Sequence, residues 1–347
     1  MIVELKDVCE KEISNIRQKD LLDKKGDYPI YGASGLIGNV DFYRQETPYV
    51  AVVKDGAGIG RAMLLPAKSS VIGTMQYLIP KGNVLPEYLY YVVKNMHLEK
   101  YYSGATIPHI YFKYYKKEKF NLVDLDQQRK IISVFKKIED AIRKQRDELT
   151  NLDTLIKARF VEMFGDLKFD TPVSKYIESL TAGKSLAGKE KCTNKVLNTG
   201  AVSYDKFKND YKYLPSNYVP DENNKVRTGN VLISRMNTQE LVGATAYVWE
   251  APENTYLPDR LWRANLKENV NSIFLWQVLI HPLLKLQIQR VSSGTSGSMK
   301  NISKSNFLKL KVPDVNEESQ NKFASFVQQV DKSKVAIQKS LDETQTL

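Results

Sequence analysis

The chain has 347 residues, of which 42% are hydrophobic and 26% charged, and this predicts a globular protein of about two domains. Two cysteines, Cys9 and Cys192, are too few for a disulfide scaffold or a cysteine-rich zinc site. The 51 Lys and Arg residues exceed the 40 Asp and Glu residues and give a formal net charge of +11. The positive charge indicates either solubility or a polyanionic partner, and charge alone does not decide between them.

No targeting signal is expected at the N-terminus, because the first residues are charged from Glu4 onward and lack the apolar core of a signal peptide. The most apolar stretch, 272–284, is interrupted by Gln277, His281 and Pro282 and is too short to cross a bilayer. We therefore expect a cytoplasmic protein with reduced cysteines and no membrane partner.

The first 122 residues alternate strand-like runs with turn signals. Residues 48–53 and 71–80 predict strands, and residues 87–102 predict a helix after Pro86. Between the strands, residues 55–60 have the spacing G-x-G-x-G rather than the G-x-G-x-x-G of dinucleotide-binding loops. This spacing favours a tight turn between strands, with a nucleotide-binding loop as the alternative.

A long amphipathic helix is predicted next, because apolar residues recur at alternating steps of four and three. These positions are Ile131, Phe135, Ile138, Ile142, Leu149, Leu152, Ile156 and Met163, with Gln145 and Arg159 as polar members. Such spacing is typical of a helix that packs along another helix. Gly165 is expected to follow its C-terminus.

The second half of the chain repeats the first. Residues 230–236 and 244–250 predict strands, and 272–288 predict a helical run that Pro282 kinks or breaks. Residues 110–131 align with 302–323 without a gap, so that Gln128 falls on Gln320. A repeat of this length exceeds a solenoid unit and indicates a duplicated domain.

The end of the chain repeats the helix in the same phase, with core positions Phe323, Val327, Val330, Lys334, Ile337 and Leu341. We expect the two helices to pack antiparallel on each other, although each could instead lie on its own domain. The predicted class is α+β, with two similar α/β domains separated by a coiled-coil-like helix pair in a pseudo-twofold arrangement. The expected boundaries are 1–122 for the first domain, 123–165 for the central helix, 166–313 for the second domain and 314–347 for the distal helix.

No catalytic arrangement is evident in the sequence. The three histidines, His97, His109 and His281, lack metal-ligand spacing, and no methyltransferase or hydrolase motif is present. Instead, the duplicated loops contain residue types that contact DNA. Arg pairs with guanine, Asn and Gln pair with adenine, and hydroxyl groups suit phosphates.

The candidate DNA-contacting residues fall in corresponding loops of the two halves. In the first half they are Lys54, Arg61, Thr106 and His109, and in the second half Arg235, Asn237, Thr238, Arg260, Arg263, Thr295, Ser296, Lys300 and Asn301. A turn or loop hydrogen bond explains any single one of them at least as well.

The chain resembles, over essentially its whole length, the specificity subunit of type I restriction-modification systems. The resemblance is carried by residues 28–38, 72–80 and 103–110 in the first half and by 230–243, 257–265 and 292–303 in the second. The sequence departs from the family at the junction before each helix, where 123–128 contains no proline, and the distal helix is expected to be the shorter one.

The resemblance implies a non-catalytic subunit whose two target-recognition domains each read one half of a bipartite double-stranded DNA site. Its helices would set the distance between the halves and dock two methyltransferase subunits, which bind S-adenosylmethionine. Motor-nuclease subunits that use ATP and Mg²⁺ would join them, while this chain would hold no cofactor or metal. Two alternatives stay open: a nucleotide-binding enzyme that uses the 55–60 loop, and a coiled-coil adaptor without catalysis.

Overall fold

The computed structural model describes residues 1–21, 25–104, 108–294 and 299–346. The chain divides into two compact units, unit 1 (Met1–Arg143) and unit 2 (Lys144–Leu347). The division falls within one long helix, so that each unit contains part of it. The predicted α+β class is confirmed, since each unit combines small sheets with helices.

The described residues of unit 1 form nine strands, three short helices and the beginning of a long one. The strands are β1 (Ile2–Glu4), β2 (Cys9–Ile13), β3 (Tyr28–Gly32), β4 (Gly35–Val40), β5 (Tyr49–Val53), β6 (Ala62–Leu65), β7 (Ser70–Val71), β8 (Met75–Pro80) and β9 (Lys119–Asn121). The helices are α1 (Leu5–Val8), α2 (Pro86–Asn95), α3 (Phe112–Tyr115) and α4 (Leu125–Phe164), and 3-10 turns lie at Gln18–Leu21 and Leu98–Tyr101.

The centre of unit 1 is an antiparallel sheet with strand order β2-β8-β5-β6. Strand β5 is fully buried, which explains why its five residues are all apolar instead of alternating with polar ones. Val50 and Val52 share a core with Leu89 and Val93 of α2, whereas Ala51 belongs to a separate core on the other face. A second sheet, β4-β3-β7, pairs β3 antiparallel with β4 and parallel with β7.

In unit 2, the part of the chain that the structure describes forms thirteen strands and four helices besides the end of α4. The strands are β10 (Phe169–Pro172), β11 (Ile177–Thr181), β12 (Lys195–Leu197), β13 (Val202–Ser203), β14 (Lys206–Phe207), β15 (Tyr211–Tyr213), β16 (Val231–Ser234), β17 (Met236–Asn237), β18 (Thr245–Tyr247), β19 (Thr255–Tyr256), β20 (Leu261–Leu266), β21 (Lys300–Asn301) and β22 (Lys311–Pro313). The helices are α5 (Ser272–Leu279), α6 (Pro282–Val291), α7 (Lys304–Leu308) and α8 (Glu317–Gln345), and 3-10 turns lie at Val173–Lys175, Thr199–Ala201 and Glu222–Asn224.

The sheets of unit 2 repeat those of unit 1. The antiparallel order β11-β20-β16-β18 matches β2-β8-β5-β6, and the mixed sheet β15-β12-β19 matches β4-β3-β7 in order and strand direction. The predicted break at Pro282 is confirmed, because α5 ends at Leu279 and Pro282 is the first residue of α6.

The matched glutamines Gln128 and Gln320 perform the same task in the two units. Each is buried at the start of its long helix, and its side-chain oxygen accepts a hydrogen bond from the residue that precedes a helix of its own unit. Gln128 accepts from the Leu85 amide at 2.8 Å, and Gln320 accepts from the Asn271 amide at 3.1 Å. The sequence repeat therefore also repeats this hydrogen bond between the long helix and the residue before an earlier helix.

Within unit 2, α8 packs antiparallel against residues 144–164 of α4. Lys334 Nζ lies 2.5 Å from Asp153 Oδ1, and Gln145 donates to Ser340 Oγ at 2.8 Å. Towards the end of α4, the Phe160 and Phe323 rings lie 5.6 Å apart between centroids. Contacts later in α4 thus involve earlier residues of α8.

The predicted core positions of the two helices differ in burial. Ile156, Phe323, Val327, Val330 and Leu341 are buried, whereas Ile131, Ile138, Ile142, Leu149, Leu152 and Ile337 are partly buried. Phe135 is 40% exposed, and its ring stacks on that of Tyr91 in α2.

Phe160, which the 3-4 spacing does not include, is buried between Phe164 and Phe323. Near the globular core, the buried positions of α4 are Ile156, Phe160 and Phe164, at two successive steps of four instead of alternating steps of four and three.

Candidate nucleic-acid interface

Three of the predicted residues of unit 2 meet in a two-stranded ribbon. Strand β17 pairs antiparallel with β21, so that Met236 lies opposite Asn301 and Asn237 lies opposite Lys300. Two backbone hydrogen bonds of 2.9 Å also join Asn301 to Ser293. Loops that are about sixty residues apart in the sequence therefore form one surface. Thr295 and Ser296 lie outside the described residues.

Arg235 lies at the junction of this ribbon with the antiparallel sheet β11-β20-β16-β18, between β16 and β17. Its amide donates to the Arg260 carbonyl at 3.0 Å, and its own carbonyl accepts from the Ile302 amide at 3.0 Å. The Arg235 guanidinium lies over the Trp262 ring, with 5.7 Å between Cζ and the ring centroid. The hydrogen bonds fix the Arg235 backbone, and the ring face of Trp262 supports the guanidinium.

Three buried polar atoms at this junction make no hydrogen bond among the residues that the structure describes. They are Arg235 Nε, Trp262 Nε1 and Asn301 Oδ1. Buried polar atoms without partners are uncommon in folded proteins, and functional sites are one place where they occur.

The other predicted residues of unit 2 are engaged to different degrees. Asn237 donates from Nδ2 to Ser234 Oγ at 3.3 Å and accepts from the Thr238 amide at 2.9 Å, which is a turn hydrogen bond. Arg263 donates to Asn265 Oδ1 at 3.1 Å, and burial lowers the pKa of its guanidinium. Arg260 is exposed, and Lys300 donates to the Gly294 carbonyl at 2.9 Å.

Unit 1 has the same backbone hydrogen bonds around this site as unit 2, but different side chains. We call this shared set of hydrogen bonds the backbone frame. The Lys54 carbonyl accepts from the Ile110 amide at 2.9 Å, as Arg235 does from Ile302. His109 and Ser103 exchange two backbone hydrogen bonds, as Asn301 and Ser293 do. Lys54 therefore corresponds to Arg235, and His109 corresponds to Asn301. Thr106 lies outside the described residues.

A charged triad occupies this frame in unit 1. His109 Nδ1 lies 2.7 Å from Asp55 Oδ1, and the Lys54 ammonium pairs with the other oxygen of the same carboxylate. The carboxylate is thus shared between the imidazole and the ammonium. Unit 1 places a Lys–Asp–His group where unit 2 places an arginine and an asparagine.

The glycine-rich loop at 55–60 joins β5 to β6, which confirms the predicted turn between strands. Gly60 has φ +81 and donates to the Val53 carbonyl at 2.9 Å, and a Cβ there would lie 2.5 Å from the Glu99 nitrogen. Arg61 donates to the Ala33 carbonyl at 3.1 Å and covers Gly58. The described residues contain no group of His, Cys, Asp or Glu that could hold a metal ion.

The repeat is also found by comparison with known proteins. A family model described as the type I restriction modification DNA specificity domain matches residues 1–151 and 180–344. The chain belongs to this family. The predicted resemblance is thereby confirmed.

The specificity subunit family includes relatives of known sequence and structure. The chain is 22% identical over 309 residues to the type I restriction enzyme MjaVIII specificity subunit of Methanocaldococcus jannaschii, covering 81% of this chain and 72% of that protein. Its fold is similar to that of the type I restriction-modification S subunit from M. genitalium, with a TM-score of 0.66 and 13% identity over 100% of this chain and 93% of that one.

A second solved chain, from a structural study of complex assembly and conformational transition of the type I R-M system, has a TM-score of 0.56 and 14% identity, with the same coverage of both chains. At this level of identity the likeness shows a shared fold. In the part of the chain that the structure describes, no helix is long and apolar enough to span a membrane.

Sequence reasoning missed Asp55 and Trp262 as members of these sites. Asp55 lies two residues after the end of the predicted strand 48–53, and Trp262 lies between two arginines of the 257–265 segment. Both residues therefore lie in or next to segments that the sequence singles out. Their partners His109 and Arg235, however, are distant in the sequence.

Proposed function

We propose that this specificity subunit reads the two halves of a bipartite double-stranded DNA site, one half with each unit, and contributes no catalytic group. The observation that carries the proposal is the matched hydrogen-bond frame around Lys54 and His109 in unit 1 and around Arg235 and Asn301 in unit 2. A frame that is retained while its side chains change is the expected result of duplication followed by divergence in specificity.

In unit 2 the proposed reading groups are the guanidinium of Arg235 and the amide of Asn301. An arginine that donates to guanine O6 and N7, or an amide that pairs with adenine, distinguishes base pairs in the major groove. Arg260 and Lys300 would supply charge near phosphates, and Asn237 and Arg263 would support the loop through their internal hydrogen bonds.

In unit 1 the proposed reading group is the Lys54–Asp55–His109 triad. A carboxylate accepts from the exocyclic amino group of cytosine. An accepting carboxylate in unit 1 and a donating guanidinium in unit 2 favour different bases. We therefore expect the two half-sites to differ in sequence.

The chemistry of the complex would belong to partner subunits. We propose that two methyltransferase subunits, which bind S-adenosylmethionine, dock on the long helices, and that ATP- and Mg²⁺-dependent restriction subunits join them. The helices support this proposal because they present exposed apolar side chains. These are Val134 and Val161 of α4, exposed by 56% and 62%, and Val335 of α8, exposed by 63%.

The test is methylome sequencing of cells that carry the neighbouring methyltransferase with and without this chain. We expect adenine methylation at one bipartite motif only when both proteins are present. Arg235→Ala is the matched variant, and it should relax the motif in a single half-site. A motif that is unchanged when this chain is deleted would contradict the proposal, and ATP binding by the isolated chain would favour an enzyme.

A further inference from the structure

Immediately after His109, three side chains at the start of α3 form an exposed cluster, the Tyr–Lys–Tyr cluster of Tyr111, Lys113 and Tyr114. The two tyrosines are 49% and 50% exposed. Lys113 Nζ lies 5.4 Å from the ring centroid of Tyr111 and 4.7 Å from that of Tyr114. The Tyr111 ring also stacks on His109 at 6.3 Å, so the cluster adjoins the triad of unit 1.

The fold does not require this cluster. The aligned positions in unit 2 are Ser303, Ser305 and Asn306, and Ser303 caps α7 by accepting from the Asn306 amide at 3.1 Å. Tyr111 occupies the same cap position of α3 without a side-chain hydrogen bond. A serine cap stabilises a helix by about 1 kcal/mol. Unit 1 therefore retains an exposed aromatic residue where a capping residue would be more stable.

The charge around the cluster favours an anionic partner. Among the described residues, Lys113, Lys116 and Lys117 form no ion pair, and the nearest carboxylate in sequence, Glu118, is paired with Lys100 at 2.5 Å. Unit 2 has Ser305, Leu308 and Lys309 at the three aligned positions. Residues 111–117 of unit 1 thus contain three lysines, whereas the aligned residues 303–309 contain two, Lys304 and Lys309.

We propose that the Tyr–Lys–Tyr cluster binds the DNA sugar-phosphate backbone next to the bases that Asp55 and His109 contact, an inference that rests on the proposed function. The Lys113 ammonium and the tyrosine hydroxyls donate to phosphate oxygens, and the ring faces pack on deoxyribose. Such contacts increase affinity without reading sequence. Unit 1 needs them more than unit 2, because Asp55 neutralises its Lys54.

The test is a triple variant, Tyr111→Ser, Lys113→Ser and Tyr114→Asn, which imports the residues that unit 2 already accommodates in the same fold. In complex with the methyltransferase subunits, it is compared with wild type on two duplexes over a range of NaCl concentrations. One duplex carries the methylated motif, and the other carries both half-sites scrambled. The control, Lys11→Ser on β2, removes the same charge from another part of unit 1.

We expect both duplexes to bind the triple variant on the order of tenfold more weakly at low salt, with the ratio of their affinities unchanged. The slope of log affinity against log salt should fall by about one, as for one lost phosphate contact. The control should keep the wild-type affinity and slope.

Unchanged affinity and slope in the triple variant would overturn the inference. A changed ratio between the duplexes would assign the cluster to base reading, and loss of the methyltransferase subunits on purification would assign it to a protein interface; either result also overturns it. If the wild-type complex itself does not prefer the motif, the proposed function fails instead.

Discussion

The two units have one backbone frame and two different chemistries at its centre. At the position of Arg235, unit 2 has a cation over an aromatic ring, whereas unit 1 has Lys54 paired with a carboxylate. The residues beneath also differ. The strand register places Trp262 opposite Ile233 and Gln76 opposite Val52, which are equivalent positions. The two units have therefore kept the same strands and differ in the residue at this position and in the residue beneath it.

The residues that contact Gln76 and Trp262 also differ between the two units. In unit 1, Gln76 Nε2 donates to the hydroxyl of Tyr115, a residue that is fully buried. In unit 2, Trp262 instead contacts the ring of Phe307 edge-on at 5.9 Å, and Phe307 aligns with Tyr115. At this core position, unit 1 pairs an amide with a phenol, and unit 2 packs an indole against a phenyl ring. The packing beneath Lys54 and Arg235 therefore differs between the units together with these two residues.

The largest expected effect concerns an ion pair that holds α6 in unit 2. Lys285 donates to Asp205 Oδ1 at 2.6 Å and to the Gly243 carbonyl at 2.8 Å, and burial lowers its pKa. Asp205→Asn removes the counter-charge but keeps an acceptor for the Thr245 amide. We expect the free energy of unfolding to fall by about 2 kcal/mol, measured by urea denaturation.

The matched variant in unit 1 is Glu118→Gln, which breaks the Lys100 pair. Lys100 is half-exposed, so its pair with Glu118 is screened by water and contributes below about 1 kcal/mol. Equal losses in the two units would contradict the distinction between them.

The next effect tests the reading residues directly. Arg235→Ala should reduce discrimination in the second half-site by about 1–3 kcal/mol and leave the first half-site unchanged, as measured by competition with single-base variants of the motif. Arg235→Lys is the control, since it keeps the charge and loses the bidentate geometry. If Arg235→Ala weakens binding equally on every sequence, Arg235 contacts phosphate instead.

In unit 1, the corresponding change is Asp55→Asn. It turns an acceptor-only group into an amide that also donates, and it frees the Lys54 charge. We expect about 1 kcal/mol of altered preference at one base pair of the first half-site, together with a steeper salt dependence of binding. An unchanged motif would show that the carboxylate only positions Lys54 and His109.

Local patterns in the sequence were sufficient for much of the fold. The strand at β5, the turn after it and the break at Pro282 each depend on neighbouring residues, and they are found as predicted. The pairing of Asp55 with His109 could not be predicted in the same way. It joins residues 54 positions apart through a bridge between two loops, and nothing in either loop alone indicates it.

The helix pair shows the same limit. The 3-4 spacing indicated where α4 and α8 pack, but it did not identify Phe160, which the globular core of unit 2 buries. Conversely, Asn237 has a residue type that suits base contact, yet its side chain completes a turn. Composition indicates which groups a site can use, whereas tertiary hydrogen bonds decide which of them are free.

The smallest expected effect isolates the support beneath Arg235. Trp262→Gln imports the residue of unit 1 and removes the cation–π contact, which contributes about 0.5–1 kcal/mol to holding the guanidinium. Trp262→Phe keeps an aromatic face and deletes Nε1, a buried donor that makes no hydrogen bond among the described residues. Measured as the ratio of affinities for the motif and a variant of its second half-site, the Gln change should lower discrimination and the Phe change should retain most of it. If both changes lower discrimination equally, the indole contributes through its volume in the core, and the cation–π contact has no separate role in specificity.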